Sequence, residues 1–198
     1  TRSLLEETDK VYAIQPPAVF TVQPVTRVVQ GDDCCWLPAG AVLNGFADGQ
    51  FRVNGRIYHA GADVVTLTDL QANRASLEMM AHSWLNAPYM WGGRTMLGVD
   101  CSGFAQLLFR FMGVALPRDA WQQAQEGEVV EKLAVAKAGD LVFFDDKDEI
   151  VHVGVLLSNT TVIHASGNVR IDPIDKKGIL HAQTGKRTHR LKAIRRYW

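Results

Sequence analysis

The hydrophobic period of this chain changes once, and that change fixes the fold class. Leu77, Met80, Ala81, Trp84 and Leu85 recur at helical spacing in a segment that Thr68 can cap and Pro88 must stop. Cys101, Phe104, Ala105, Leu108, Phe111 and Met112 form the stripe of a second helix, with Asp100 as its N-cap and Gly113 closing it. A short third helix, Ala120 to Glu126, follows Leu116-Pro117-Arg118-Asp119 and ends at Gly127. Beyond Asp140 the period becomes two. Asp140–Phe144, Val151–Leu157 and Thr161–Ala165 read as strands, and Val169–Ile171 and Arg190–Tyr197 as short or edge strands. Helices first and an antiparallel sheet afterwards is an α+β layout.

The stretch before residue 68 has a different texture. After some fifteen leading residues, with a helical turn expected around Leu4 and Leu5, short β-segments alternate with turns. Phe20–Val22, Thr26–Val29, Ala41–Leu43, Phe51–Val53 and Arg56–Tyr58 are the expected strands; Asn54-Gly55 is a strong hairpin turn. Five such strands suit a small barrel, so two domains are expected, residues 1–67 and 68–198.

Twenty-one basic and twenty-one acidic residues leave no net charge, so general attraction to nucleic acid is not implied. Lys and Arg gather at positions 170, 176, 177, 186, 187, 190, 192, 195 and 196, which reads as a solvated edge strand blunted with charge. Cys34, Cys35 and Cys101 make no disulfide framework and no CxxC pair. No apolar run is long enough to span a membrane. The chain begins at Thr1, and a removed leader would favour the cell envelope or a secreted location over the cytoplasm.

Cys101 falls in the first turn of its helix, where free N–H groups and the helix dipole are expected to lower the thiol pKa. Alone, the same position suits a buried structural cysteine. The bases decide between the two. His152 alternates with Val151, Val153 and Val155, and Val162 and His164 share a face one strand later. A three-residue loop, Ser158-Asn159-Thr160, would pair Leu157 with Thr161 and set Gly154 opposite His164. That register puts both imidazoles on one face, expected to turn toward the Cys101 helix. Cys, His and His then fit a nucleophile, a base and a residue orienting the base. The same three could hold zinc but lack a fourth ligand at usual spacing, so neither a metal nor a cofactor is expected.

Five ordered motifs resemble one family: the Pro88-Tyr89-Met90-Trp91-Gly92-Gly93 loop, Asp100-Cys101-Ser102-Gly103, Ala138-Gly139-Asp140-Leu141-Val142-Phe143-Phe144, His152-Val153-Gly154 and Ile163-His164-Ala165-Ser166. Residues 70 to 197 are similar to the NlpC-type cell-wall peptidases, papain-like cysteine peptidases, and the preceding segment resembles a bacterial SH3-like domain. The resemblance implies Cys101 as nucleophile, His152 as general base and His164 as its orienting partner. It implies Tyr89, Asp100 and Ser102 as residues meeting the substrate, with Asp119 substituting for the hydroxyl that Ala120 lacks. The branch resembled cleaves γ-D-glutamyl-L-diamino acid bonds, so murein tri- or tetrapeptides are the expected partners of a monomeric enzyme. A related acyltransferase or thioesterase acting on lipids, an amidase or endopeptidase cutting another wall bond, and wall binding without catalysis are the rival expectations.

Overall fold

The computed structural model describes residues 19–61, 64–66 and 73–197. The expected turn at Leu4 and Leu5 and the expected cap at Thr68 lie outside them. The first part of the chain forms β1 (Val19–Thr21), β2 (Val25–Gln30), β3 (Asp33–Pro38), β4 (Gln50–Val53), β5 (Arg56–Ala60) and β6 (Val64–Thr66). They build a four-stranded sheet in the order β3-β2-β5-β4 and a separate β1–β6 pair. Asn54 and Gly55, at φ 47° and 77°, turn the β4–β5 hairpin between Val53 and Arg56 as expected. Val19, Val28, Leu43 and Phe51 are its buried core. Two expectations fail. Ala41–Leu43 is no strand and makes only the single bridge Phe20↔Val42. The mostly exposed run Asp33–Pro38, where no strand was expected, is an edge strand, paired with β2 along its whole length.

The second part begins with α1 (Arg74–Ser83), where Asn73 caps by accepting from the Ser76 N–H at 3.0 Å. A tight β7–β8 hairpin (Arg94–Thr95, Gly98–Val99) leads into α2 (Cys101–Phe111), and α3 (Ala120–Gln123) follows. β9 (Glu128–Val129) precedes β10 (Leu141–Asp146), β11 (Glu149–Ser158), β12 (Thr161–Ser166), β13 (Asn168–Asp175), β14 (Gly178–Leu180) and β15 (Arg187–Arg196). These last six are hydrogen-bonded in sequence order, and β15 pairs back onto β10, closing a barrel.

Closure gives the sheet an outside and an inside. Leu141, Phe143, Val153, Val155, Ile163 and Ala165 face outward and share one core with Leu77, Trp84, Phe104 and Leu108 of the helices. Val142, Phe144, Leu156, Val162, Ile174, Ile179 and Ile194 fill the interior. Phe20 and Ala39 of the first part join the outer core, and Arg110 Nη1 donates to the Gly40 carbonyl at 2.8 Å, seating that part on α2.

Barrel closure also corrects the reading of the basic segment. β15 is an inner strand, bonded on both sides; Arg187, Arg190, Lys192 and Arg196 are spent on ion pairs, and Arg195 donates to the Ala124 carbonyl. Arg190 meets Asp145 at 2.6 Å, Arg196 meets Asp140 at 2.7 Å, and Arg187 meets Asp175 at 2.7 Å. Partners from other strands, invisible to a composition count, turn the apparent basic tail into the seam of the barrel.

Candidate active site

Asp100 precedes α2 in extended backbone, and its Oδ1 accepts the Gly103 N–H at 2.7 Å. Its Oδ2 accepts the Gly92 N–H at 2.8 Å and Arg118 Nη2 at 2.5 Å, while Arg118 Nη1 donates to Ser102 Oγ at 2.8 Å. Burial works to raise the Asp100 pKa, but donation from Arg118, Gly103 and Gly92 outweighs it and holds the carboxyl below its usual range. The Trp91-Gly92-Gly93 turn is shaped for this contact. Gly92 sits at φ 77°, and a side chain on Gly93 would overlap the Gly98 backbone.

Cys101, 7% exposed, follows directly. Burial pushes its thiol above the ordinary value, and the adjacent Asp100 carboxylate pushes the same way. The N–H groups of Val153, Ser102 and Cys101 itself pull downward without reversing the shift. The expected acidic thiol is therefore corrected: the helix start favours the anion, but the sulfur is dry and has a carboxylate beside it.

The histidines meet as the register predicted. Val155 pairs with Ile163, which sets Gly154 against His164, where an added Cβ would come 3.2 Å from the His164 Cβ. The turn itself is closed by Ser158 with Thr161, and an irregularity at Leu157 absorbs the difference from the expected Leu157–Thr161 pair. Their direction differs from expectation. The valines, not the histidines, face α2; His152 and His164 lie on the interior side with Phe144. The sulfur approaches this strand at the Val153 N–H, one residue past His152. Among the described residues no hydrogen bond joins Cys101 Sγ to either imidazole; the two rings bond each other and Asp172 instead.

A polar chain runs through the barrel. His152 Nε2 lies 2.8 Å from His164 Nδ1, and His164 Nε2 lies 3.0 Å from Asp172 Oδ2. Asp172 also accepts from Arg170 Nε at 2.8 Å and from the Ala182 N–H at 2.8 Å. Burial opposes its charge, but these donors hold it far below the usual carboxylate range. An ionised carboxylate only accepts, so His164 carries its proton on Nε2 and offers a lone pair at Nδ1. His152 must then carry its proton on Nε2, which leaves His152 Nδ1 as a lone pair without a partner among the described residues. Burial, then repulsion from His164, His189 and Arg170, keeps His152 well below its ordinary pKa, so it is neutral at pH 7.

Two members of this cluster escape sequence reading. Asp172 lies past the end of the strand expected at Val169–Ile171; the signal was its period-two spacing from Arg170. His189, which stands in no motif, stacks on His152 with ring centroids 4.2 Å apart. Tyr89, Asp100, Cys101, Ser102 and Asp119 all line one cleft of about 510 Å³, walled also by Trp91, Arg118, Trp121, Ile150 and Val151. Arg118 is the residue there that sequence reading did not single out.

Residues 86–188 match the model of the NlpC/P60 family. Over 135 residues the chain is 34% identical to the γ-D-glutamyl-L-lysine dipeptidyl-peptidase of Bacillus subtilis, covering 65% of this chain and 44% of that protein. It is 37% identical over 105 residues to a probable endopeptidase NlpC homolog of Haemophilus influenzae, covering 52% and 55%. The chain thus spans about half the length of these relatives. A crystal structure of an NlpC/P60 family protein from Bacillus cereus superposes with a TM-score of 0.73 at 23% identity, covering 91% of this chain and 63% of that one, a likeness of fold.

Proposed function

The chain belongs to the NlpC/P60 family of cell-wall peptidases, and from there we propose that it is a cysteine peptidase acting on peptidoglycan stem peptides. The bond assigned is γ-D-glutamyl-L-diamino acid, with L-Ala-γ-D-Glu released. One observation carries the mechanism: the hydrogen-bond chain from Asp172 through His164 leaves His152 Nδ1 as the acceptor nitrogen, on the residue adjoining the Cys101 contact.

In the resting state both the Cys101 thiol and the His152 imidazole are neutral, because burial raises one pKa and lowers the other. Proton transfer therefore accompanies attack. His152 Nδ1 takes the Cys101 proton as the sulfur bonds to the γ-carbonyl carbon of D-Glu. The Cys101 N–H at the start of α2 receives the developing oxyanion, with the Tyr89 hydroxyl as a second donor. As the tetrahedral intermediate collapses, the C–N bond breaks and the imidazolium gives its proton to the leaving amine. Water, deprotonated by the same nitrogen, then releases the acyl group and restores the thiol. His164 and Asp172 hold the tautomer throughout and stabilise the transient positive charge.

Asp100, Ser102 and Asp119 are assigned to the substrate backbone. Asp100, bound on both oxygens by Arg118, presents a neutralised pair to the cleft. Residues 1–67, of which 19–61 and 64–66 are described, are assigned as an SH3-like module that narrows the choice to short stems. The test is digestion of L-Ala-γ-D-Glu-diaminopimelate, its lysine counterpart and an N-blocked analogue, read by mass spectrometry. The reading expects L-Ala-γ-D-Glu from the free peptides and none from Cys101→Ala. Cleavage at another bond, or turnover by the variant, rejects it.

A further inference from the structure

We propose that His152, His164 and His189 form a site for a zinc-like divalent cation that switches the peptidase off. The binding half of this proposal stands on geometry alone; the inhibitory half rests on reading His152 as the base. One nitrogen from each of the three rings lies within 4.8 Å of the other two. His164 is fully buried and His152 is 6% exposed, so the pair is shielded from competing water. Their partners already orient them as metal ligands are oriented. His164 gives its Nε2–H to Asp172, the carboxylate–histidine arrangement that turns the other nitrogen's lone pair toward a metal. His189 Nδ1 lies 2.8 Å from Thr188 Oγ1, which leaves its Nε2 free. This set differs from the Cys-His-His zinc reading, since Cys101 is not a member of the cluster.

His152 and His164 need little movement. Tetrahedral zinc with Zn–N bonds of about 2.0–2.1 Å sets nitrogens about 3.3 Å apart, so the 2.8 Å contact between His152 Nε2 and His164 Nδ1 opens slightly. His189, half-buried and stacked at 23° to His152, must tilt inward. It lines a separate cleft that gives the ion a route in; Asp145, Asp146 and Asp148 line that cleft, but so do Lys147, Lys176, Lys177, Arg187 and Arg190, so charge does not draw the ion in. A fourth position stays open for water.

Binding has a defined consequence for the base. His152 Nε2 can bond the metal only after losing its proton, and a neutral imidazole keeps one proton, which passes through solvent to Nδ1. The lone pair assigned to the Cys101 proton is then gone. No net proton is released, no redox step occurs, and the sulfur is untouched.

The experiment uses chelator-treated Cys101→Ala protein, in which no thiolate can ligate at position 101, titrated with Zn²⁺ by calorimetry and with Co²⁺ by visible absorption. One equivalent is expected, with a tetrahedral Co²⁺ spectrum. Adding His189→Phe should weaken binding by about 100-fold or more. His189→Gln is the second variant, read the same way, should the phenylalanine disturb packing. No stoichiometric binding, or binding unchanged by both His189 variants, overturns the site. Peptide turnover by the protein with Cys101 intact should fall with Zn²⁺ over the range in which calorimetry shows binding. Binding that depends on His189 yet leaves turnover unaffected would keep the metal site and reject His152 as the base.

Discussion

Replacing Asp172 with Asn changes the charge at the far end of the histidine chain while keeping the shape. The carboxylate accepts on both oxygens: Oδ1 from the Ala182 N–H, Oδ2 from His164 and Arg170. An amide cannot satisfy all three. With its oxygen toward His164, its NH₂ collides with the Ala182 N–H. With its oxygen toward Ala182, its NH₂ faces two donors unless His164 moves its proton to Nδ1. That second arrangement reverses the chain and puts a proton on His152 Nδ1, where the mechanism needs a lone pair. General-base catalysis is worth about 10²–10⁴-fold, so kcat should fall in that range, about 3–5 kcal/mol of transition-state stabilisation. The first arrangement keeps the tautomer and loses only the anion, which places it at the low end. Folding stability should fall as well, by less than the roughly 3–5 kcal/mol of a fully buried pair, because Arg170 reaches solvent. The assay is kcat and KM for release of L-Ala-γ-D-Glu, with ¹⁵N shifts of His152 and His164 reporting the tautomer. A variant that turns over within threefold of the parent with an unchanged pH profile refutes the relay.

Other consequences follow from the same geometry. Gly154→Ala places a Cβ 2.5 Å from Val162 Cγ2 and 3.2 Å from the His164 Cβ, so a melting experiment should show a loss of about 1–3 kcal/mol together with reduced turnover; an unchanged Tm would mean that the strand gives way freely. Tyr89→Phe should lower kcat by about 10²–10³-fold with KM little changed, as removal of an oxyanion donor does, and a rise in KM alone would make it a binding residue instead. His189 is held down to about 4, chiefly by burial and then by repulsion from His164 and Arg170. The unfolded chain therefore binds the extra proton first, and this contribution to stability is complete above about pH 6.5 and lost as pH falls toward 4. Denaturant titrations across that window should show the fall, and His189→Phe should make it shallower, since His152 and His164, also lowered, still contribute.

Much of the site was legible because local rules governed it. Asp100 before an apolar helical stripe is both cap and turn anchor, and Gly154 beside His164 follows from matching two alternating strands. The failures share one cause, contacts between segments distant in sequence. Asp33–Pro38 is a strand only because β2 offers its edge, and its exposed side chains carry no alternation. The cations of β15 looked like a solvated fringe until closure brought carboxylates on or beside β10 to Arg190, Lys192 and Arg196, and Asp175 of β13 to Arg187. His189 reaches His152 only through that same closure. The direction of the histidines was missed because alternation gives two faces without saying which one meets the helix. The Cys101 pKa was misjudged because the helix start was weighed without the burial and the Asp100 carboxylate around it.

The central claim is a covalent one, and trapping the acyl-enzyme tests it most directly. Protein mixed with L-Ala-γ-D-Glu-diaminopimelate is quenched in acid within the first turnovers, digested and mapped by mass spectrometry. The account predicts an L-Ala-γ-D-Glu thioester on the peptide bearing Cys101, present in the parent and absent in Cys101→Ala. Steady product release with that peptide unmodified at every time point, or with the adduct on another residue, would contradict it.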